Sequence, residues 1–383
     1  MAKLPKKLEQ KLEKRRLENA LRTLPNTQAL VDFSSNDYLG LARKEELIDD
    51  TLKFLKTKKT TSMGSTGSRL LTGNHILYEE LEDFLADYHN SESALVFNSG
   101  YDANIGFFSS VPQRGDFIFY DELAHASIRD GIQMNNAKSY KFAHNNLNDL
   151  RSLIGRNQNT DENSEIYIVT ESVFSMDGDS PDLVSLVDFC SHGNYHLIVD
   201  EAHAVGVFGE GKGMISQLGI EDKVFARVVT FGKALGNHGA AILGGEALRT
   251  YLLNFARSLI YTTALSPHSI ASILTTYHYL QEHVKEERTN LLANITYFKQ
   301  QIQSLSLENN FIVSNSAIHC LIVSGNQMAK DLSRNLKDAG FDVRPILSPT
   351  VKAGEERLRF CLHSYNTKEE ISRVLSLVKN EIV

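Results

Sequence analysis

Cysteine is scarce in this chain, and what there is lies scattered. Cys190, Cys320 and Cys361 make no CxxC pair and no even framework of spacings, which speaks against a disulfide-stapled scaffold and for a reducing, cytoplasmic setting. Long apolar runs are missing too: none approaches the length of a membrane span. The N-terminus is charged and lacks the apolar stretch of a signal peptide, and Glu9 and Glu13 argue against an organelle transit peptide. Positive charge is not in excess. A formal net charge of −7 argues against a general nucleic-acid binder. Internal repeats and low-complexity tracts are absent. These absences leave no expected membrane, nucleic-acid or metal partner.

What is present is a core of ordinary richness. Hydrophobic residues make up 42% and charged residues 23% of 383, enough for two or three domains. The segment containing Leu4, Leu8, Leu12, Leu17, Leu21 and Leu24 reads as one amphipathic helix that packs on its own protein and ends at Pro25-Asn26. A short strand at Val31 runs into a polar turn, and a helix follows to about Lys56. Lys58–Gly73 is rich in Gly, Ser and Thr, too long for a mere connector, and is expected to line a site.

From about residue 75 to 245 helices alternate with short apolar strands: 94–97, 116–120, 165–170, 196–200 and 227–230. Strands apolar on both faces predict a mostly parallel central sheet flanked by helices. A long helical region, 267 to about 305, then leads into a strand–helix–strand–helix pattern, a smaller C-terminal α/β domain. The expected division is an N-terminal helix and arm over 1–45, a large domain over 46–275 and a small domain over 276–383.

In an open parallel sheet, ligands bind beyond the carboxyl ends of the strands. Those ends carry Asn98-Ser99-Gly100-Tyr101, His125, Glu171 with Ser175, Asp200 with His203, and Thr230 with Lys233. Singly, each has a structural explanation, such as an N-cap aspartate, a satisfied histidine or a turn glycine. Together they serve one cofactor, pyridoxal phosphate. Its aldehyde needs a lysine amine, and Lys233, between Gly232 and Gly236 where burial lowers an amine's pKa, supplies it as a Schiff base. Asp200 would keep the ring nitrogen protonated. The helix opening at Gly100-Tyr101 would hold the phosphate, and His125 would stack on the ring. His203 would reach the ring or its phenolic oxygen. One competing motif is Gly206–Lys212, whose glycine spacing resembles a nucleotide-binding loop; Gly213 stands where Ser or Thr must bind magnesium.

These residues resemble the α-oxoamine synthases, fold-type-I pyridoxal-phosphate enzymes. The resemblance runs from about Leu21 to the C-terminus. It rests on Val199–Gly206, Thr230–Gly236, Phe33–Gly40, Leu123–Ser127 and Ser172–Asp179. Arg69–His75 and Gly236–Ile242 are most similar to the members that condense L-alanine with a pimeloyl thioester, on CoA or a carrier protein, in biotin synthesis. The alternative is the branch joining glycine to acetyl-CoA. The resemblance implies a fold-type-I transferase in which Lys233, His125 and Asp200 are catalytic. Gly100, Tyr101, Ser175, His203 and Thr230 would complete the cofactor site, with Thr262 and Thr263 reaching the phosphate of the neighbouring subunit in a homodimer with shared sites. It implies that Arg359 grips the amino-acid carboxylate and that Arg22 and Thr350 line the acyl substrate. Leu347-Ser348 departs from the family's Arg-Pro, and Arg344 lies nearby. Lys56, Lys58 and Lys59 could meet an acidic acyl carrier or form a solvated run.

Overall fold

A computed structural model of the chain describes residues 3–24, 29–157 and 163–382. They form two compact units, Asp37–Ser175 with Ser180–Arg288, and Met1–Asn36 with Met176–Asp179 and Thr289–Val383. The division at 288/289 falls later than 275/276, and the expected arm over 1–45 is divided: Met1–Asn36 groups with Thr289–Val383, and 37–45 belong to the larger unit.

The larger unit is built on a seven-stranded sheet. Its spatial order is Ser93–Phe97, Ala240–Gly244, Ala226–Thr230, His196–Asp200, Ile166–Glu171, Phe117–Asp121 and Lys138–Phe142. All neighbours pair parallel except Ala240–Gly244, which runs antiparallel to both strands beside it. Successive side chains on each strand point to opposite faces. Ile118, Val169, Ile198, Val228 and Ile242 pack under the helices Gly100–Ser110, Ala126–Gln133 and Glu246–Phe255. On the other face Phe119, Ile168, Leu197 and Val199 pack under Leu147–Asn157 and Leu183–Gly193. Each such side chain contributes roughly 1.5–3 kcal/mol on full burial. Being buried on both faces, the central strands read as continuous apolar runs.

In the smaller unit, Arg357–Cys361 lies between Arg344–Ile346 and Ile318–Ile322 in an antiparallel sheet. Val31–Asp32 pairs parallel with Phe341–Asp342. Phe298, Phe311 and Phe360 meet in its core.

Two helical expectations change. The first helix spans Lys6–Leu17 and buries none of its residues. It stops because Asn19 takes a left-handed conformation (φ 53°), with Ala20 N–H returning to Arg15 O and Asn19 N–H to Arg16 O, a paired closure that ends helices. Pro25-Asn26 lies outside the described residues. The long helical region is two helices, Pro267–Glu282 and Lys285–Ser304. Among the described residues no helix is long and apolar enough to cross a membrane.

Candidate active site

The parallel strands of the larger unit all deliver their carboxyl ends to one edge, and a cavity opens there. Gly100, Tyr101, His125, Asp200, His203, Thr230 and Lys233 line it together. Lys233 sits in the hairpin connection between Ala226–Thr230 and Ala240–Gly244, whose pairing closes at Thr230 and Ala240. Phe231 N–H bonds to Gly239 O (2.9 Å) and Gly236 N–H to Lys233 O (2.8 Å), so the lysine's backbone is anchored on both sides. Gly236 is required here: its φ is +64°, and a Cβ would fall 2.3 Å from Ala42 N. Lys233 Nζ lies 2.7 Å from His203 Nε2, and His203 Nδ1 lies 2.7 Å from the Tyr38 hydroxyl.

Asp200 ends its strand almost fully buried. Its Oδ2 accepts from Asn104 Nδ2 (2.9 Å) and its Oδ1 from Ala202 N–H (2.9 Å), which fixes the carboxylate. His125 opens the helix Ala126–Gln133, and its Nδ1 accepts the Ser127 N–H (3.3 Å). That bond leaves the ring proton on Nε2. Burial pushes the His125 pKa below its usual value, which favours the neutral imidazole. Beneath it, Glu171 Oε1 accepts the His125 N–H (2.6 Å). Glu171 is paired in register with Asp200 across the parallel strands. Burial first, and the Asp200 charge second, push its pKa up to about 8.

The helix Gly100–Ser110 begins at the cavity. Ser99 Oγ caps it by accepting the Asp102 N–H (3.0 Å), and the first-turn amides lack intrahelical partners. A positive helix end with free N–H groups is an anion site. Gly100 cannot carry a side chain, since a Cβ would fall 2.6 Å from Thr230 Cγ2.

Against this geometry the comparisons with known proteins can be set. A family model for aminotransferases of class I and II matches residues 28–378. The 8-amino-7-oxononanoate synthase of Emericella nidulans is 42% identical over 373 residues, covering 94% of this chain and 90% of that protein. Serine palmitoyltransferase from S. paucimobilis, solved with pyridoxal phosphate and myriocin bound, has a TM-score of 0.87 at 25% identity, with 98% and 96% of the two chains covered. The Francisella tularensis 8-amino-7-oxononanoate synthase has a TM-score of 0.77 at 30% identity, covering 92% and 98%.

The chain belongs to the class I and II aminotransferase family. Among its members it is an α-oxoamine synthase with the fold-type-I architecture, a pyridoxal-phosphate-dependent acyltransferase. The cavity suits that cofactor. Thr230 Oγ1 and Asn104 Oδ1 are buried at its wall with no hydrogen-bond partner, a costly state that a polar ligand relieves. Gly100 clears the approach to the helix end.

Other expected residues lie elsewhere. Ser175 belongs to the larger unit but does not line this cavity, and no lining residue comes from Lys58–Gly73. Thr262 and Thr263 are held by Asn98, whose Nδ2 donates to Thr262 Oγ1 (3.1 Å) and Thr263 O (2.7 Å). Arg22, Thr350 and Arg359 are in the smaller unit. There Arg22 reaches Thr350 Oγ1 at 3.4 Å, and Arg359 donates to Asn36 Oδ1 at 2.9 Å. Asn104, Ser127, Glu171 and His238 line the cavity without having been assigned a role from the sequence.

The nucleotide-loop resemblance of Gly206–Lys212 has a structural answer. The group at its end is the protein's own Glu201 carboxyl, fully buried, which accepts the Ile215 N–H (3.0 Å) and faces Arg227 at 3.8 Å, with burial pushing its pKa up to about 7. Gly213 (φ +109°) is glycine because a Cβ would fall 2.7 Å from Glu201 Oε1.

Proposed function

We propose that the enzyme condenses L-alanine with a pimeloyl thioester, releasing carbon dioxide and free thiol and giving 8-amino-7-oxononanoate in biotin synthesis. The observation that carries this reading is the 42% identity, over nearly the whole chain, to a protein of that activity. The cavity supports it. When bound, pyridoxal phosphate supplies the electron sink for a carbanion at the amino acid's α-carbon. Lys233 would hold the cofactor and then take the α-proton as general base. Asp200, fixed by Asn104 and Ala202, would hold the ring nitrogen's proton. The neutral His125 would lie on the ring and offer Nε2–H to the thioester carbonyl. The amides at Gly100 and Tyr101, with Thr230, would take the phosphate. His203, which lines the cavity, would complete the cofactor's contacts. Arg359 presents a guanidinium fork suited to the amino-acid carboxylate, and Arg22 with Thr350 would line the acyl chain.

A homodimer with shared sites belongs to this reading. Ala264 N–H bonds to Gly67 O (3.0 Å), joining two segments that leave Met63, Leu71 and Tyr261 97%, 81% and 71% exposed. Side chains of that size left in water favour a partner surface, and Thr262 and Thr263 sit beside Tyr261. Lys58 pairs with Glu80 (2.7 Å), which supports reading the cluster with Lys56 and Lys59 as solvated surface. A reducing cytoplasm fits the three free, buried cysteines.

The serine palmitoyltransferase likeness makes the amino acid and the acyl chain the points to test. A panel of alanine, glycine and serine against pimeloyl, acetyl and palmitoyl thioesters, scored by thiol release, separates the readings. Alanine with a pimeloyl donor should turn over fastest. Preference for glycine with acetyl-CoA, or for serine with a palmitoyl donor, would overturn the proposal. Lys233→Ala should remove the cofactor label fixed by borohydride and abolish turnover.

A further inference from the structure

Tyr38 belongs to the Phe33–Gly40 motif, yet the function so far gives it nothing to do. It is fully buried, and its hydroxyl lies 2.7 Å from His203 Nδ1. On the far side of the imidazole, Nε2 lies 2.7 Å from Lys233 Nζ. His203 is itself buried, so the three groups form a line from the protein interior to the reacting amine. Two proton arrangements satisfy such a line. In one, the tyrosine O–H donates to Nδ1, and Nε2–H points at the lysine nitrogen. In the other, Nδ1–H donates to the phenol oxygen, and Nε2 accepts from the lysine.

The two have opposite effects on Lys233. An imidazole N–H directed at the amine matches the lone pair of a neutral –NH2 and repels an ammonium. An imidazole lone pair there stabilises the ammonium, which cannot act as nucleophile or base. A phenol keeps its proton throughout the neutral range and can donate or accept; where it donates to Nδ1, the neutral ring carries its proton on Nε2.

We propose that Tyr38 is a positioning residue: by donating to His203 Nδ1 it holds Nε2–H toward Lys233 and so keeps that lysine in its free-amine form. His125, Asp200, Glu171 and His238 also face the cavity, and His125 and Glu171 interact electrostatically with Lys233. They are common to every variant compared below, so they cancel. The inference rests on Lys233 being the cofactor's lysine, which borohydride fixation with peptide mapping tests separately.

The test uses the full-length protein freed of cofactor. Competitive labelling of Lys233 with an amine-reactive anhydride across a pH series, read by mass spectrometry, gives the midpoint of its protonation without any turnover. Tyr38→Phe removes one oxygen and keeps the ring. It should raise the midpoint by about one unit, a roughly tenfold slower labelling near neutral pH. In a His203→Ala background the same substitution should change labelling less than about twofold, because the tyrosine acts through the imidazole. An equal shift in both backgrounds, a downward shift, or no shift would overturn the proposal. Should Tyr38→Phe fail to fold, 3-fluorotyrosine at position 38 keeps the hydroxyl and strengthens it as a donor. It should lower the midpoint, and an unchanged or raised midpoint would again overturn it.

Discussion

Replacing Glu171 with glutamine isolates one proton. The carboxyl is 3% exposed, stands beside Asp200, and also lies within the field of Lys233 and Asp121. Its pKa in the folded protein is about 8, against 4.5 for an ordinary glutamate. An acid whose folded pKa is raised keeps its proton in the folded state after the unfolded chain has lost it. Its contribution is therefore fully present below the unfolded value and is lost as pH rises through the folded one. Between about pH 5.5 and 8.5 the folded state gives up on the order of 3 kcal/mol, a ceiling that local relaxation lowers. Glutamine cannot ionise, and its carbonyl can still accept the His125 N–H. Calorimetric melting of the cofactor-free protein should show Glu171→Gln gaining on the unsubstituted chain as pH rises. At roughly 2 °C per kcal/mol the gain is at most about 6 °C over that interval. If the difference in melting temperature is the same at both pH values, the buried proton is not there and the reasoning fails.

Three further outcomes follow from contacts already described. Gly100→Ala should weaken pyridoxal phosphate binding at least about tenfold in an absorbance titration, because the new methyl meets Thr230 at the helix end. Arg227→Met removes the cation that draws the Glu201 pKa down, so the melting temperature should fall, and fall further above pH 7, where the carboxyl must ionise, than below it. Leu71→Asp with Tyr261→Asp should shift the mass measured by light scattering from dimer to monomer; an unchanged mass would show that these exposed side chains do not hold the subunits together.

The fold was legible where burial is symmetric. Strands such as His196–Asp200, covered on both faces, announce themselves as apolar runs, and their carboxyl ends then locate the cavity. Lys138–Phe142 escaped because it is an edge strand, largely exposed, with Lys138, Ser139 and Lys141 in place of apolar residues. Ala240–Gly244 escaped because its alanines and glycines carry little strand preference; its pairing partners hold it. Asn104 was missed for a different reason. It lies one turn inside a helix rather than at a strand end, and only the packing of that helix brings its amide to Asp200. Tyr38 was visible as a motif residue, but its partner lies 165 positions away. Local spacing carries no trace of such a contact.

The antiparallel strand Ala240–Gly244 also sets a timetable for assembly. Among the described residues Ser93–Phe97 joins the sheet through it alone, so the strand that leads into the helix Gly100–Ser110 has no sheet neighbour until residue 244 has been made. At roughly 5–20 residues per second, that is a wait on the order of ten seconds during synthesis. The same pairing closes the hairpin around Lys233. One late event thus completes the sheet under the Gly100 helix and the hairpin that carries Lys233 together, and a nascent chain cut short before it would have neither in place.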